Sequence, residues 1–223
     1  MALELVNQTI TDVRLTGSSG EYGDARLVGV TLKRCMVTQS GDPGFGLVVR
    51  NVVLERCQMD ACKASGVLFE EITIDALRLA QLHQLSGCVF RHVTLRGRIG
   101  SVMVKGPVSV RRDYSDRVAC AVRKYKEIDW ALDVSEAVFT DDAEFYYVPG
   151  DLVRRDPNSQ ALLRREAFSW ADWRDFPGHI GPWVSRFEVT PFDSIVVIAP
   201  KGSTKFRKHM SDIEWLHNNG LCE

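Results

Sequence analysis

No apolar run in this chain approaches the 18 or so residues a membrane-spanning helix needs. Net charge is almost absent, at a formal −1 over 223 residues. That removes the global electrostatic footprint of a protein that binds nucleic acid directly or lies on an anionic membrane. The opening residues Met1 to Asn7 lack a basic region followed by an apolar one, so no secretory signal is expected. Gly-rich phosphate loops, a Gly-x-Ser-x-Gly elbow and a His-Glu-x-x-His pair are missing as well. The segment Lys201-Gly-Ser-Thr-Lys205 has the ending of a phosphate loop without its preceding glycine and is expected to be a surface turn. His83, His92, His179, His209 and His217 are scattered, with no pair at ligand spacing. Cys57 and Cys62 have no histidine pair nearby and are expected to be buried thiols rather than zinc ligands. With Cys35, Cys88, Cys120 and Cys222 they make six, in a chain long enough to bury a core without staples, so a reduced, cytoplasmic protein is expected. No catalytic residue, metal or cofactor is indicated.

What the sequence does have is a period. Steps of five from Leu47 give LVVRN, VVLER, CQMDA, CKASG, VLFEE, ITIDA, LRLAQ and LHQLS. Positions one and three are apolar except at Gln84, and positions four and five are mostly charged, polar or small. The same frame runs as LELVN, QTITD and VRLTG from Leu3, and as ARLVG, VTLKR and CMVTQ from Ala25. Shifted by one residue, it returns as CVFRH and VTLRG from Cys88. The breaks, Ser18–Asp24, Ser40–Gly46 and Leu85–Gly87, are rich in Gly, Ser or Asp, as loop insertions are. Five matches neither the 3.6 of a helix nor the 2 of a strand. It suits a chain that runs briefly extended, buries positions one and three on one side, then turns a corner. Such blocks bury their apolar faces only by stacking on one another.

These blocks resemble the pentapeptide-repeat family, in which a small residue, any residue, Leu or Phe and two polar residues recur. The resemblance covers about Leu3 to Gly97 and returns from Ile128 as IDWAL, DVSEA, VFTDD and AEFYY. Ala25-Arg-Leu27 and Ala143-Glu-Phe145 match well, as do Cys35, Cys57, Cys62 and Cys88 at the small inward position. It implies a mainly β fold: a right-handed parallel β-helix whose square turns hold four blocks each. Leu3, Leu47, Ile72, Leu77 and Leu82 are large for position one, and the family's Asp or Asn at position two is missing. A wider β-helix of the pectate-lyase type is therefore the alternative.

The chain divides into a solenoid over 1–156, with an irregular basic insertion at about 98–127, and a tryptophan-rich α/β cap over 157–223. From Lys105 to Glu127 there are seven basic and three acidic residues; from Ile128 to Asp156 there are eight acidic and two basic. Either the basic stretch folds onto the acidic one, or both are solvated, or one is a docking patch. Asp133, Glu136, Asp141, Asp142 and Glu144 form the candidate interaction patch. In the cap, Ser159–Phe168 reads as a helix capped by Ser159, Asp193–Pro200 as a buried strand, and Thr204–Asn218 as a helix ended by Asn219-Gly220. Trp170, Trp173, Phe176, Trp183 and Phe187 form either a plug over the solenoid end or a homodimer interface.

The expected function is a non-catalytic scaffold that binds another protein. One alternative follows from the resemblance: a DNA mimic that binds DNA gyrase or another topoisomerase and protects it from drugs or toxins. A mimic needs a strongly acidic rod, whereas Met1–Gly100 carries eleven basic and ten acidic residues. Two further readings are an immunity protein that binds a toxin and a polysaccharide-acting β-helix enzyme. For the enzyme the outward acids are Glu55, Asp60, Glu70, Glu71 and Asp75. Val48, Val53 and Leu68 stand where polar residues belong, which predicts that the insertion or the cap covers them.

Overall fold

A five-residue block cannot close a hydrogen-bonded ladder within itself, so its strands must find partners in other blocks, and here they find them at long, regular intervals. The computed structural model describes residues 3–170 and 172–223. The first twelve strands are β1 (Leu3–Val6), β2 (Thr9–Thr11), β3 (Arg14–Gly17), β4 (Gly20–Val28), β5 (Thr31–Lys33), β6 (Met36–Gln39), β7 (Leu47–Asp60), β8 (Lys63–Ser65), β9 (Leu68–Leu79), β10 (His83–Ser86), β11 (Val89–Ile99) and β12 (Val102–Lys105). Helix α1 (Tyr114–Tyr125) interrupts them, followed by β13 (Leu132–Asp133), β14 (Ala137–Phe139), β15 (Ala143–Glu144) and β16 (Val153–Arg154). The C-terminal part holds β17 (Gln160–Arg164), α2 (Ile180–Ser185), β18 (Ser194–Ile198) and α3 (Phe206–Asn218). The protein is thus mainly β, with parallel sheets and few helices.

Two sheets carry the repeats. The larger runs β1-β4-β7-β9-β11-β13-β16 with β2, β5 and β14 alongside; the smaller runs β3-β6-β8-β10-β12-β15. One line of paired residues crosses the larger sheet: Leu3, Ala25, Val52, Ile72, Val93, Leu132 and Val153. The chain from one of these to the next is a tier. The tier from Val52 to Ile72 is 20 residues, four blocks of five. Ala25 to Val52 is longer by the loop Ser40–Gly46, and Val93 to Leu132 by the segment that holds α1.

The corners explain position five. Asn51, Arg56, Ala61, Gly66, Glu71 and Ala76 all have φ between +50° and +69°, one left-handed residue in every five. Asn7, Asp12, Gly29, Arg34, Gly87, His92 and Gly97, at the same position of their blocks, share the conformation. A single left-handed residue bends the chain at a corner without lengthening it, and small or polar side chains tolerate it best.

Register corrects the frame in three places. Leu85 pairs with Ala64, 21 residues back, so the one-residue shift falls before His83 and not at Leu85–Gly87. Gln84 then faces solvent and is no exception to the apolar rule. The frame does not dissolve at Arg98 either: β11 runs to Ile99, and Val102-Met-Val104-Lys-Gly106 is a further block paired with His83–Ser86. After the insertion the inward residues are Leu132, Val134, Ala137 and Phe139, so the run from Ile128 is one residue out of phase until Ala143.

The insertion is ordered. Helix α1 buries Arg117, Ala121 and Tyr125 at four-residue spacing, a single face. Arg117 lies against Gly66, where a Cβ would come within 2.8 Å of its guanidinium; the bare corner gives the side chain room. Leu68 is buried in the cluster that also contains Ala121 and Tyr125, and Val48 packs against that cluster; Val53 is half-buried.

Ser159–Phe168 is not a helix. Gln160–Arg164 is a strand antiparallel to β18, and Arg165–Phe168 is one tight helical turn. Gln160 to Leu163 are all buried, which a surface helix with one apolar face would not allow. The C-terminal unit therefore has two strands. Leu162, Val196 and Ile198 join the main core, while Ala161, Leu163, Ile195 and Val197 join a second core with Phe168, Ile180, Val184, Phe187, Ile213 and Leu216.

The left-handed corners predict opposite signs for one substitution. Ala61→Gly, at φ 51° and exposed, relieves a strain of about 1 kcal/mol or more against a comparable entropic loss. It should leave stability level or raise it slightly. Ala64→Gly, inward and buried on a strand, should lower it by about 1 kcal/mol. Urea denaturation of the two variants reads the difference.

Candidate interaction surfaces

A stretch with a net charge of −6 cannot stack its strands closely without cations, and the structure shows where these come from. Lys205, one residue before α3, places Nζ 2.9 Å from Asp141 and 2.6 Å from Asp142. Arg186, after α2, lies 2.7 Å from Glu144. Lys201 bonds Asp156, and Arg164 of β17 lies 2.9 Å from Asp151. Asp133 accepts from the Ser135 hydroxyl at 2.6 Å, and Glu136 is exposed.

The candidate patch Asp133, Glu136, Asp141, Asp142 and Glu144 is therefore not a bare acidic strip: the C-terminal unit occupies most of it. Nor does the basic insertion fold onto the acids, because Arg111 and Arg117 are both bound to its own Asp113. The turn at Lys201–Lys205 is a seat on the acidic tier. Gly202 N–H donates to Phe139 O at 2.8 Å, where a Cβ would crowd that carbonyl.

The outer faces carry charges of alternating sign. Arg26 bridges Glu4 and Glu55, at 2.8 and 3.0 Å, across three tiers. Arg91 pairs with Glu70 at 3.2 Å, Arg96 with Asp75 at 3.0 Å, and Arg50 with Glu21. Glu55 and Asp75 stand directly opposite on neighbouring strands, yet each is committed to its own arginine. Exposed pairs of this kind contribute about 0–1 kcal/mol each. What they determine is the field outside the protein, which is mixed and not acidic.

Sequence reasoning missed one cluster. His92 bonds Glu71 through Nδ1 at 2.5 Å and Asp129 through Nε2 at 2.7 Å. Its ring stacks 4.6 Å from Trp130, and the Arg154 guanidinium lies 4.1 Å from the centroid of the same indole. Bonds to Asp129 and then Glu71 hold the imidazole above its ordinary value of 6.5. The signal was available: Glu71 and His92 both occupy position five, one tier apart. The outward turn of Trp130 was not, because an apolar residue in this frame reads as inward.

The cysteines at the inward position have a structural occupation. The Cys57 thiol donates to Leu27 O at 3.3 Å and Cys62 to Leu32 O at 3.4 Å. Burial pushes the Cys88 thiol up to about 12. In the C-terminal unit, Phe168, Phe176, Trp183 and Phe187 pack within or against the second core. Trp170 is 72% exposed and Trp215 36%, one on either side of Phe176 at 6.2 and 6.3 Å. Trp170, Val189 and Trp215 are the exposed large apolar side chains among the described residues of the C-terminal unit, and the two tryptophans with Phe176 make an aromatic shelf. Comparisons with family models, curated proteins and solved structures give no match to this chain.

Two groups predict the pH profile. Burial alone would raise the Asp156 carboxyl, but bonds from Lys201, Ser159 and Asn158 hold it at about 2 against an ordinary 3.8. Its contribution is complete above 3.8 and disappears as pH falls toward 2, so Asp156→Asn should flatten the acid limb of a melting-temperature profile. His92 acts the other way: its contribution is complete below 6.5 and is lost as pH rises through its higher folded value. His92→Gln should remove that alkaline decline. Lys205→Met, which leaves Asp141 and Asp142 facing each other without a cation, should cost about 1 kcal/mol, and Asp141→Asn in the same chain should restore part of it.

Proposed function

We propose that the chain is a right-handed β-solenoid of the pentapeptide-repeat kind and serves as a non-catalytic scaffold that binds another protein. The closed, square form is supported by the left-handed corner at every fifth residue and by the 20-residue step between Val52 and Ile72, four corners to a turn. Parallel crossover connections are right-handed in nearly all proteins, which supports the hand. The C-terminal unit over 157–223 caps the rod, its antiparallel strand pair laid across the last turn.

The observation that carries the binding role is the contrast between rod and cap. Many of the rod's outer charges sit in internal pairs, whereas the cap presents Trp170 and Trp215 to solvent with Phe176 half-buried between them. Large exposed aromatics are the side chains that dominate interface centres. Such a scaffold works by rigidity: its shelf belongs to a cap that shares the rod's main core through Leu162, Phe192, Val196 and Ile198, so little ordering cost falls on binding.

A DNA mimic would need a continuous acidic face; alternating pairs on the rod and the cations on Asp141, Asp142 and Glu144 argue for the scaffold instead. Cytoplasmic residence, as expected for six reduced thiols, belongs to the same proposal.

Affinity capture from the source cell's lysate tests this reading. The intact chain should retain one stoichiometric partner, lost with Trp170→Ser/Trp215→Ser and kept with Asp141→Asn/Asp142→Asn. Recovery of gyrase or topoisomerase subunits that depends on the acids and not on the tryptophans would overturn the scaffold reading in favour of mimicry.

A further inference from the structure

The register sets two thiols side by side that are distant in sequence. Met36 pairs with Lys63 and Val37 with Ala64, and Lys63 N–H donates to Cys35 O at 2.9 Å, so Cys35 and Cys62 are direct neighbours on successive tiers. Both take the inward first position of their blocks, both are free, and both are half-buried. The Cys62 sulfur lies against the backbone N–H and the thiol of Cys35. The other inward cysteines have apolar neighbours instead. Cys57 lies between Val30 and Leu77, and Cys88 follows Val67 in its column, so neither has a second thiol beside it.

We propose that Cys35 and Cys62 together bind one soft, closed-shell cation, copper(I), as a pair of thiolates in line. Spacing selects this ligand. Neighbouring strands lie about 4.8 Å apart, and two collinear metal–thiolate bonds of about 2.3 Å each span nearly that distance. A disulfide would need the two Cβ atoms at about 3.8 Å, closer than in-register side chains stand, and would pull the tiers together. Zinc would need four ligands in a tetrahedron, and among the described residues no third His, Cys, Asp or Glu joins the pair. Two ligands suffice for copper(I), which soft thiolates favour. Binding exchanges protons for metal with no change of oxidation state. Two S–H bonds break, two copper–sulfur bonds form and two protons leave to solvent, so the pair with its ion carries one negative charge. The surroundings tolerate that charge: the Arg34 guanidinium, paired with Asp12 at the adjoining corner, lies in the field of a Cys35 thiolate. His83 follows Cys62 in the column, because Leu85 pairs with Ala64. Burial holds its imidazole below the ordinary 6.5 and neutral, so it does not compete as a cation for the thiolates. This site lies in the repeats and does not depend on the partner proposed for the aromatic shelf.

Anaerobic titration of the reduced full chain with copper(I), against a chromophoric copper(I) chelator, tests the inference, with one bound equivalent as the expected result. Cys35→Ala and Cys62→Ala, at the inward position that Ala64 also fills, should each lose the ion. Cys120→Ser/Cys222→Ser should keep it. Circular dichroism and melting temperature establish folding in each case, and Cys35→Ser and Cys62→Ser decide the matter if an alanine variant fails to fold. X-ray absorption at the copper edge of the wild-type adduct should show two sulfur ligands in line. No binding against the chelator, binding that survives in a folded Cys35 or Cys62 variant, loss with Cys120→Ser/Cys222→Ser, or a copper ion with three or four ligands would each overturn the inference.

Discussion

A backbone that turns left-handed at every fifth residue permits few side-chain arrangements between corners. Two residues point inward, two outward, and the fifth sits on the corner. Once Asn51, Arg56, Ala61, Gly66, Glu71 and Ala76 are so placed, the inward positions are fixed as those of Val52, Leu54, Cys57, Met59 and their successors. The pairing of Val52 with Ile72 fixes the same positions one tier on. Packing, pairing and the outward charge pairs all inherit that spacing. Where an insertion lengthens a tier, as at Ser40–Gly46 or around α1, the chain returns to the same line of partners. The buried Gln39 side chain holds the first of these loops, accepting from Leu47 N–H and donating to Asp42 O.

Electrostatics divides the molecule differently from packing. The N-terminal tiers neutralise themselves strand by strand, through Arg26, Arg91 and Arg96. The last tiers do not; their carboxylates are answered by Arg164, Arg186, Lys201 and Lys205 from the C-terminal unit. Adjacent stretches of opposite sign invited the idea that insertion and acidic run embrace. The insertion instead pairs Arg111 and Arg117 with its own Asp113, and Arg117 anchors it at a glycine corner.

Much of this was legible because the five-residue period leaves a direct trace in residue type. Inward cysteines and valines, polar corners, the strand Ser194–Ile198 and the helix ended at Asn219-Gly220 follow from local chemistry. The rest depended on partners distant in sequence. Gln160-Ala-Leu-Leu163 is as good a helix as a strand until β18 lies beside it. The frame after Ile128 slipped because Trp130 faces outward, against the rings of His92 and the guanidinium of Arg154. The candidate patch followed from the local run of acids, but Lys205 lies more than sixty residues from Asp141 and Asp142, and no local pattern announces that pairing.

The two-faced antiparallel pair β17–β18 has a consequence for how the chain comes into being. One face completes the main core and the other founds the second, so neither core closes until β18 has been made. Synthesis proceeds from the N-terminus, and the acidic tiers leave the ribosome well before Arg186, Lys201 and Lys205. During that interval the nascent chain carries an open, self-repelling end. The repulsion that the finished C-terminal unit neutralises then opposes pairing of that end with a neighbour on the same message.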